Sequence, residues 1–358
     1  MRDNVSKFEE YRRGNSSKIL FIIVCVVLLL IAALVSLSVG TRIGFGRTAE
    51  VVFNHLTGVT YPKRSPEWWE DYYIFQNVMP EVVVAIIAGA GLAVTGVIMQ
   101  SIMNNPLADP YTTGISSGAS LGAVTAIIMG YTFSSIAGEM GIVSNAFIGA
   151  MVPALIIILL SKRVGNSPAT IILIGTAISY FFNALTTLIM ITADSEALQS
   201  AYMWQIGSVA GVSWSSIPLM LVIVTASSIF AILLSRSLNL MTLGDESARS
   251  LGMDAERLRM VCIMVSSFLI ASIVSYTGII GFVGLVSPHI VRFVVGSDNR
   301  FVIPASIVAG ALLLTVALML SRLLNSFGYI PIGVVVSFIG APIFLYLVVR
   351  DKSGREIW

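Results

Sequence analysis

Met260–Val291 is a run of 32 residues without Asp, Glu, Lys or Arg, and Ala197–Ser235 is another 39 without a charge. Such stretches leave few ways to fold. A bilayer core supplies no water to unsatisfied backbone groups, and a helix that satisfies its own needs about 20 apolar residues to cross it. The whole chain is 56% hydrophobic and only 11% charged, whereas soluble domains carry about 25% charge. The pattern predicts an all-α polytopic membrane protein.

Five spans can be read directly: Ile19–Val39, Val82–Met103, Gly114–Gly130, Gly141–Leu160 and Ala169–Ile191. Ala197–Ser235 is too long for one straight crossing. Its Trp204–Gly207 and Gly211–Trp214 look interfacial, which leaves Trp214–Ser235 as the sixth span. Met260–Val295 is also too long, and Gly278, Gly281 and Gly284 break it into a seventh and an eighth. Val302–Leu320 and Ile330–Val349 make ten. The first run has 21 residues, longer than the roughly 7–15 of a secretory signal's apolar region, so it reads as a retained span. The organisation is then a tail over 1–18, one ten-helix domain over 19–349 and a tail over 350–358.

Ten spans put both termini on one side. If that side is the cytoplasm, sixteen of the 21 Lys and Arg face it, and only Arg42, Arg47, Lys63, Arg64 and Arg322 lie outside. That bias is the positive-inside pattern.

The stretch LGDESARSLGMDAERLR, Leu243–Arg259, holds seven charges between apolar runs and belongs to a cytoplasmic region over 237–257. Asp245 and Arg249 are spaced to pair along a helix face. Gly252 reads as a stop, and Asp254 as the cap of the next span. Ala248 and Leu251 offer an apolar edge. Both a solvated connection and a docking surface fit these residues.

Pro106 ends the second span, and Asp109-Pro110 starts the next helix. Gly114, Gly118, Gly122, Ala126 and Gly130 recur every four residues, as do Ala85, Gly89 and Ala93. Such stripes favour close packing of helix backbones in lipid. Thr95-Gly96, Pro106 and Gly114 recur 182 residues later as Thr277-Gly278, Pro288 and Gly296. Because these fall on an even and an odd span, they suggest an inverted repeat. Cys25 and Cys262 lie in apolar runs and read as small buried hydrophobes.

Net charge is only +2, so nothing points to nucleic acid. No span has an Asp, Glu, Lys or Arg near its centre, whereas an ion-coupled carrier would usually bury an acidic residue there. There is no P-loop and no HExxH, so the chain cannot hydrolyse ATP unaided. Energy for transport must come from elsewhere, and a docked ATPase fits the charged cytoplasmic segment. The rival readings are an energy-independent channel or a membrane scaffold.

Six blocks then carry a resemblance across nearly the whole chain. They are GLAVTGVIMQ at 91–100, NPLADP at 105–110, GISSGASLG at 114–122, LGDESARSLG at 243–252, GFVGLVSPHIVR at 281–292 and PIGVVVSFIGAP at 331–342. In this order they resemble the permease subunits of ABC importers for iron–siderophores, haem and cobalamin, with the ten-helix type II import fold. The resemblance implies that Leu243, Gly244, Asp245, Glu246, Ala248, Arg249, Leu251 and Gly252 form a coupling segment that seats in an ATP-binding subunit. It implies a cytoplasmic gate at Val164–Pro168, with Asn166 and Ser167, and a structural role for His289. It further implies a second copy of the chain or a close relative, an extracytoplasmic solute-binding protein, and residence in a prokaryotic cell membrane. No cofactor is expected on this chain, since ATP and Mg belong to the partner ATPase.

The outer rim departs from that family. Val78-Met79-Pro80-Glu81 stands where Arg-Leu-Pro-Arg is usual, and Leu318 stands where an acid often precedes the rim arginine, here Arg322. Docking of the binding protein is expected at Arg322 and Glu81 with the outer loop that carries Lys63 and Arg64, or else Glu81 faces lipid headgroups or pairs internally with Arg322. The outer loop Thr41–Met79 is long, and its Trp-Trp-Glu-Asp-Tyr-Tyr (68–73) either covers the entrance or lies at headgroup level.

Overall fold

The structure is a computed structural model that describes residues 2–41, 43–133, 138–324 and 329–351. Arg42 and most of the C-terminal tail, with Lys352 and Arg355, lie outside the described residues. Every regular element among the described residues is helical. In chain order they are α1 (Arg2–Ser36), α2 (Phe45–Leu56), α3 (Pro66–Tyr73), α4 (Met79–Ile102), α5 (Ile115–Met129), α6 (Glu139–Val164), α7 (Pro168–Ile191) and α8 (Ser195–Ile206). They continue as α9 (Ile217–Leu233), α10 (Ser235–Met241), α11 (Asp245–Ser250), α12 (Ala255–Thr277), α13 (Val283–Val295), α14 (Asn299–Leu324) and α15 (Ile332–Asp351).

Seven helical segments are long and apolar enough to cross a membrane, and Ile115–Met129, Val283–Val295 and Ile332–Tyr346 are shorter apolar helices. The helix ends follow local chemistry. Asp109 accepts from Tyr111 N at 2.7 Å and starts the short 3₁₀ turn Pro110–Thr113. Ser167 caps α7 ahead of Pro168, and Asp254 caps α12 as its side chain accepts from Arg257 N at 3.0 Å. The break expected inside Met260–Val295 falls at Gly278, whose φ of +66° admits glycine and ends α12. A Cβ there would also lie 2.1 Å from Trp204 O, at the end of α8.

The most buried helix is α4. Through one π turn (Ile74–Val78) it continues α3, so Pro66–Ile102 forms one helical segment of 37 residues, and 89% of its apolar window is buried. Helices α9, α12, α13 and α14 surround it. The small-residue stripes prove to be packing seams. A Cβ on Gly89 would sit 2.3 Å from Gly310 O of α14, and one on Gly122 would sit 2.1 Å from Asn145 O of α6. Larger side chains there would push the helices apart.

The 182-residue offset does not join equivalent places. Thr95-Gly96 lies in mid-helix, where a Cβ on Gly96 would strike Gly284 O at 1.7 Å, while Thr277-Gly278 is a helix end. Pro106 is in a loop and Pro288 inside α13. The spacing reflects separate demands on glycine and proline. Cys25 and Cys262 are both free and buried.

Candidate functional site

One end of the bundle gathers the ends of α4, α6 and α13 and the starts of α7, α12 and α14 around α10 and α11. The six-residue α11 is framed by Gly244 (φ +89°) and Gly252 (φ +83°). Its Ala248 is fully buried against the bundle, whereas Leu243 and Leu251 are 60% and 62% exposed. The apolar edge expected from Ala248 and Leu251 therefore divides. The helix ends at Ser250, and Leu251, already past it, turns outward. Glu246, Ser247, Arg249 and Ser250 share that exposed face.

The expected Asp245–Arg249 pair is absent. Arg249 instead reaches Glu256 at 2.5 Å, across the turn into α12. Asp245 accepts both guanidinium arms of Arg259, a residue only 1% exposed. A buried cation needs an acceptor more than an exposed one does, so Arg259 takes the carboxylate. The same guanidinium donates from Nε to Ile102 O at the end of α4 (2.9 Å) and from Nη1 to Asn166 O in the α6–α7 loop (3.0 Å). The sequence reading passed over Arg259. The available signal was its position, the last charge before 32 uncharged residues.

Asn166 is tied to α12 a second time, its Nδ2 donating to Glu256 O at 3.3 Å. The Ser167 hydroxyl is used as a helix cap, accepting from Thr170 N at 3.2 Å. The α6–α7 loop and α11, far apart in sequence, thus meet on one arginine.

A second polar cluster lies beside this one. Arg292 of α13 donates to Gln100 of α4, and Asn299 donates to Ser101 Oγ at 3.1 Å. Asp298, between α13 and α14, accepts from Asn239 Nδ2 at 2.9 Å and from Arg300. Burial pushes its carboxyl up, but the bonds from Arg300 and Asn239 outweigh this and hold it at about 2. Burial pushes the Asp109 carboxyl up, against the bond from Tyr111 N. His289 is buried edge-to-face with Phe293 at 5.3 Å. Among the described residues, no group of three His, Cys, Asp or Glu is placed to hold a metal.

At the opposite rim Arg322 of α14 and Glu81 of α4 pair at 2.6 Å, with side chains 9% and 19% exposed. Arg322 also donates to Ser36 O at the end of α1 (2.6 Å) and to Val78 O (3.3 Å), while Glu81 accepts from Gly211 N at 3.3 Å. Of the arrangements the sequence left open, the structure has the internal pair. Beyond it, α2 and α3 form a hairpin joined by Arg47–Glu70 at 2.7 Å and His55–Asp71 at 2.7 Å. The 68–73 aromatics lie on α3 as a Trp68–Trp69–Tyr72 cluster, with Trp69 54% exposed. Lys63 and Arg64 are exposed between the two helices.

Seven apolar helices among the described residues, long enough to cross a membrane, with a small charged helix pinned at one end of the bundle, define a multi-pass membrane protein. The chain belongs to the FecCD transport family, whose model matches residues 26–350. It is 37% identical to a protein of Methanocaldococcus jannaschii, provisionally named an ABC transporter permease, over 96% of this chain and 97% of the other. It is 34% identical to the hemin transport system permease protein of Yersinia pestis, over 80% and 86% of the two chains. It is 35% identical to the vitamin B12 import system permease protein of Vibrio cholerae, over 80% and 85%. Among solved structures, it is similar to the inward-facing conformation of a transporter provisionally assigned to the metal-chelate ABC type. That match has a TM-score of 0.79 and 30% identity, over 92% of this chain and 98% of the other.

Proposed function

We propose that this chain is the permease subunit of an ATP-driven importer for an iron chelate (siderophore or haem) or cobalamin. It takes its substrate from an external solute-binding protein and its energy from a separate ATP-binding subunit. The observation that carries the reading is α11: a short helix fixed on a buried arginine, with Leu243, Leu251, Glu246 and Arg249 turned away from the bundle. Such a surface suits a groove in a soluble partner, and family membership names that partner's class. The seven long and three shorter apolar helices are read as ten spans. The lysine and arginine bias puts the α11 end in the cytoplasm of a prokaryotic cell, with both termini on that side. Asn166 and Ser167 then stand at the cytoplasmic gate, and the α2–α3 hairpin with Lys63 and Arg64 offers the outer face to the binding protein.

A second copy, or a close relative, fits the outward apolar faces of α7 and α15. Tyr180 and Ile191 are 75% and 76% exposed, and Phe338 is 77% exposed. These two helices would line a path on the assembly's axis, and lipid covers the remaining outward faces. The test is uptake into proteoliposomes that contain the permease and its ATPase, with a binding protein present. Haem, a ferric siderophore and cobalamin are offered in turn. ATP-dependent accumulation of one of them supports the reading. Accumulation that is equal without ATP marks a channel instead.

A further inference from the structure

Asn166 and α11 are each assigned a role above, but the residue joining them is not. Arg259 stands in the second turn of α12, 1% exposed. Its fork directs four N–H groups at three other elements: two at Asp245 of α11, one at Asn166 O in the α6–α7 loop and one at Ile102 O at the end of α4. Asn166 Nδ2 closes the circuit on Glu256 O, one turn before Arg259, and Arg249 of α11 adds a bond to the Glu256 carboxylate. Among the described hydrogen bonds, Arg259 is the side chain that reaches both α11 and the α6–α7 loop directly, and Glu256 joins them only by adding its own carbonyl to its side chain.

We propose that Arg259 is the positioning residue that makes α11, the start of α12 and the α6–α7 loop one rigid body, so that a displacement of the coupling helix is delivered to the gate unchanged. The physical reason is the burial of the charge. If α11 moved away alone, Asp245 would leave a guanidinium without its counter-charge in a place water does not reach, which is strongly unfavourable. If the loop moved alone, Arg259 would lose the Asn166 carbonyl. Both shifts are avoided only when the elements travel together. Lysine cannot substitute. Its ammonium is a single point at the end of a flexible stem and cannot hold acceptors lying in three directions.

The inference rests on the coupling role proposed for α11, and the test separates the two. The assembled transporter, permease with its ATPase in nanodiscs, carries spin labels on cysteines placed at Ser250 and Lys162, both exposed. Cys25 and Cys262 are buried and replaced by serine or alanine if they label. With Arg259 present, the label distance should be the same without nucleotide and with ATP. In Arg259→Lys it should become nucleotide-dependent, and uptake should fall at least tenfold. Should Arg259→Lys not assemble, Asp245→Asn opens the same joint from the α11 side while keeping one acceptor. A nucleotide-dependent distance in the native protein overturns the proposal, as does a constant distance in the variants. Failure of the coupling reading shows separately, as normal ATP-driven uptake after Ala248→Pro.

Discussion

Replacing Glu81 with alanine separates the two roles open to the outer rim. The substitution removes the carboxylate paired with Arg322 and leaves the guanidinium, 9% exposed, with only the carbonyls of Ser36 and Val78 and the Ser36 hydroxyl. Removing one partner of a fully buried ion pair costs about 3–5 kcal/mol. Glu81 is 19% exposed, so water reaches the vacated space, and screening lowers the expected cost to about 2–3 kcal/mol. At 1.4 kcal/mol per factor of ten, the folding equilibrium shifts on the order of a hundredfold. The loss of Glu81 Oε1 as the acceptor for Gly211 N should in addition loosen the 207–213 segment. The assay is an unfolding titration of the purified permease in mixed micelles, run beside binding-protein affinity in nanodiscs. A staple predicts that Glu81→Ala destabilises the protein. It also predicts that Arg322→Met added to Glu81→Ala costs less than the sum of the two single changes, because no charge is then stranded. Unchanged stability together with weakened capture of the binding protein would refute the staple and make these residues docking contacts.

Two further outcomes are expected. Proline at Ala248 should abolish stimulation of the partner ATPase by loaded binding protein while the permease still inserts, since an interior proline costs about 3 kcal/mol or more and α11 has only six residues; the readout is ATP hydrolysis with and without the loaded protein. Cysteines at Lys63 and Glu246, both exposed, should label with an impermeant maleimide from opposite faces of the membrane, and labelling from one face would overturn the ten-span topology.

The helices were legible because their signals are local and repeated. Run length located the apolar helices, and the break at Gly278 followed from a run too long for one crossing. The caps Asp109 and Asp254 are one-residue devices whose donors lie within a turn. The stripe of Gly118 and Gly122 pointed to a seam, although nothing in it named α6 as the partner. What escaped was set by tertiary competition. The Asp245–Arg249 spacing is correct for a helix pair, yet a buried guanidinium 14 residues away holds the carboxylate instead. The Arg322–Glu81 pair, 241 residues apart, was one arrangement the sequence left open, but no local pattern could choose it over docking. The repeat at 182 failed for the opposite reason. Matching letters served unlike purposes, close approach at Gly96 and a helix end at Gly278.

Three buried arginines share one partner, and this carries the last prediction. Arg259, Arg292 and Arg322 sit on three successive helices, α12, α13 and α14, and each bonds to α4 or to the turn that leads into it. The contacts are Ile102 O and Gln100 at one end, and Glu81 and Val78 O at the other. Between those ends α4 bears no charge and packs on backbone through Gly89 and Gly96. Hydrophobic force cannot fix the register of helices in lipid, since tails and side chains are equally apolar. Directional bonds at both ends can. Arg259 and Arg322 each serve several acceptors lying in different directions, which a lysine head cannot reach together. Arg259→Lys and Arg322→Lys should therefore each lose at least one charge-assisted hydrogen bond, worth about 1.5–3 kcal/mol. The same change at exposed Arg257 should stay within about 0.5 kcal/mol of the native protein. The helices without such pins have less to hold them: in α6 and α7 only 33% and 28% of the apolar window is buried, against 89% in α4. Unfolding titrations of the three lysine variants decide the matter. If Arg259→Lys and Arg322→Lys are as stable as Arg257→Lys, the ends of α4 are not where its register is fixed, and the small-residue seams must suffice alone.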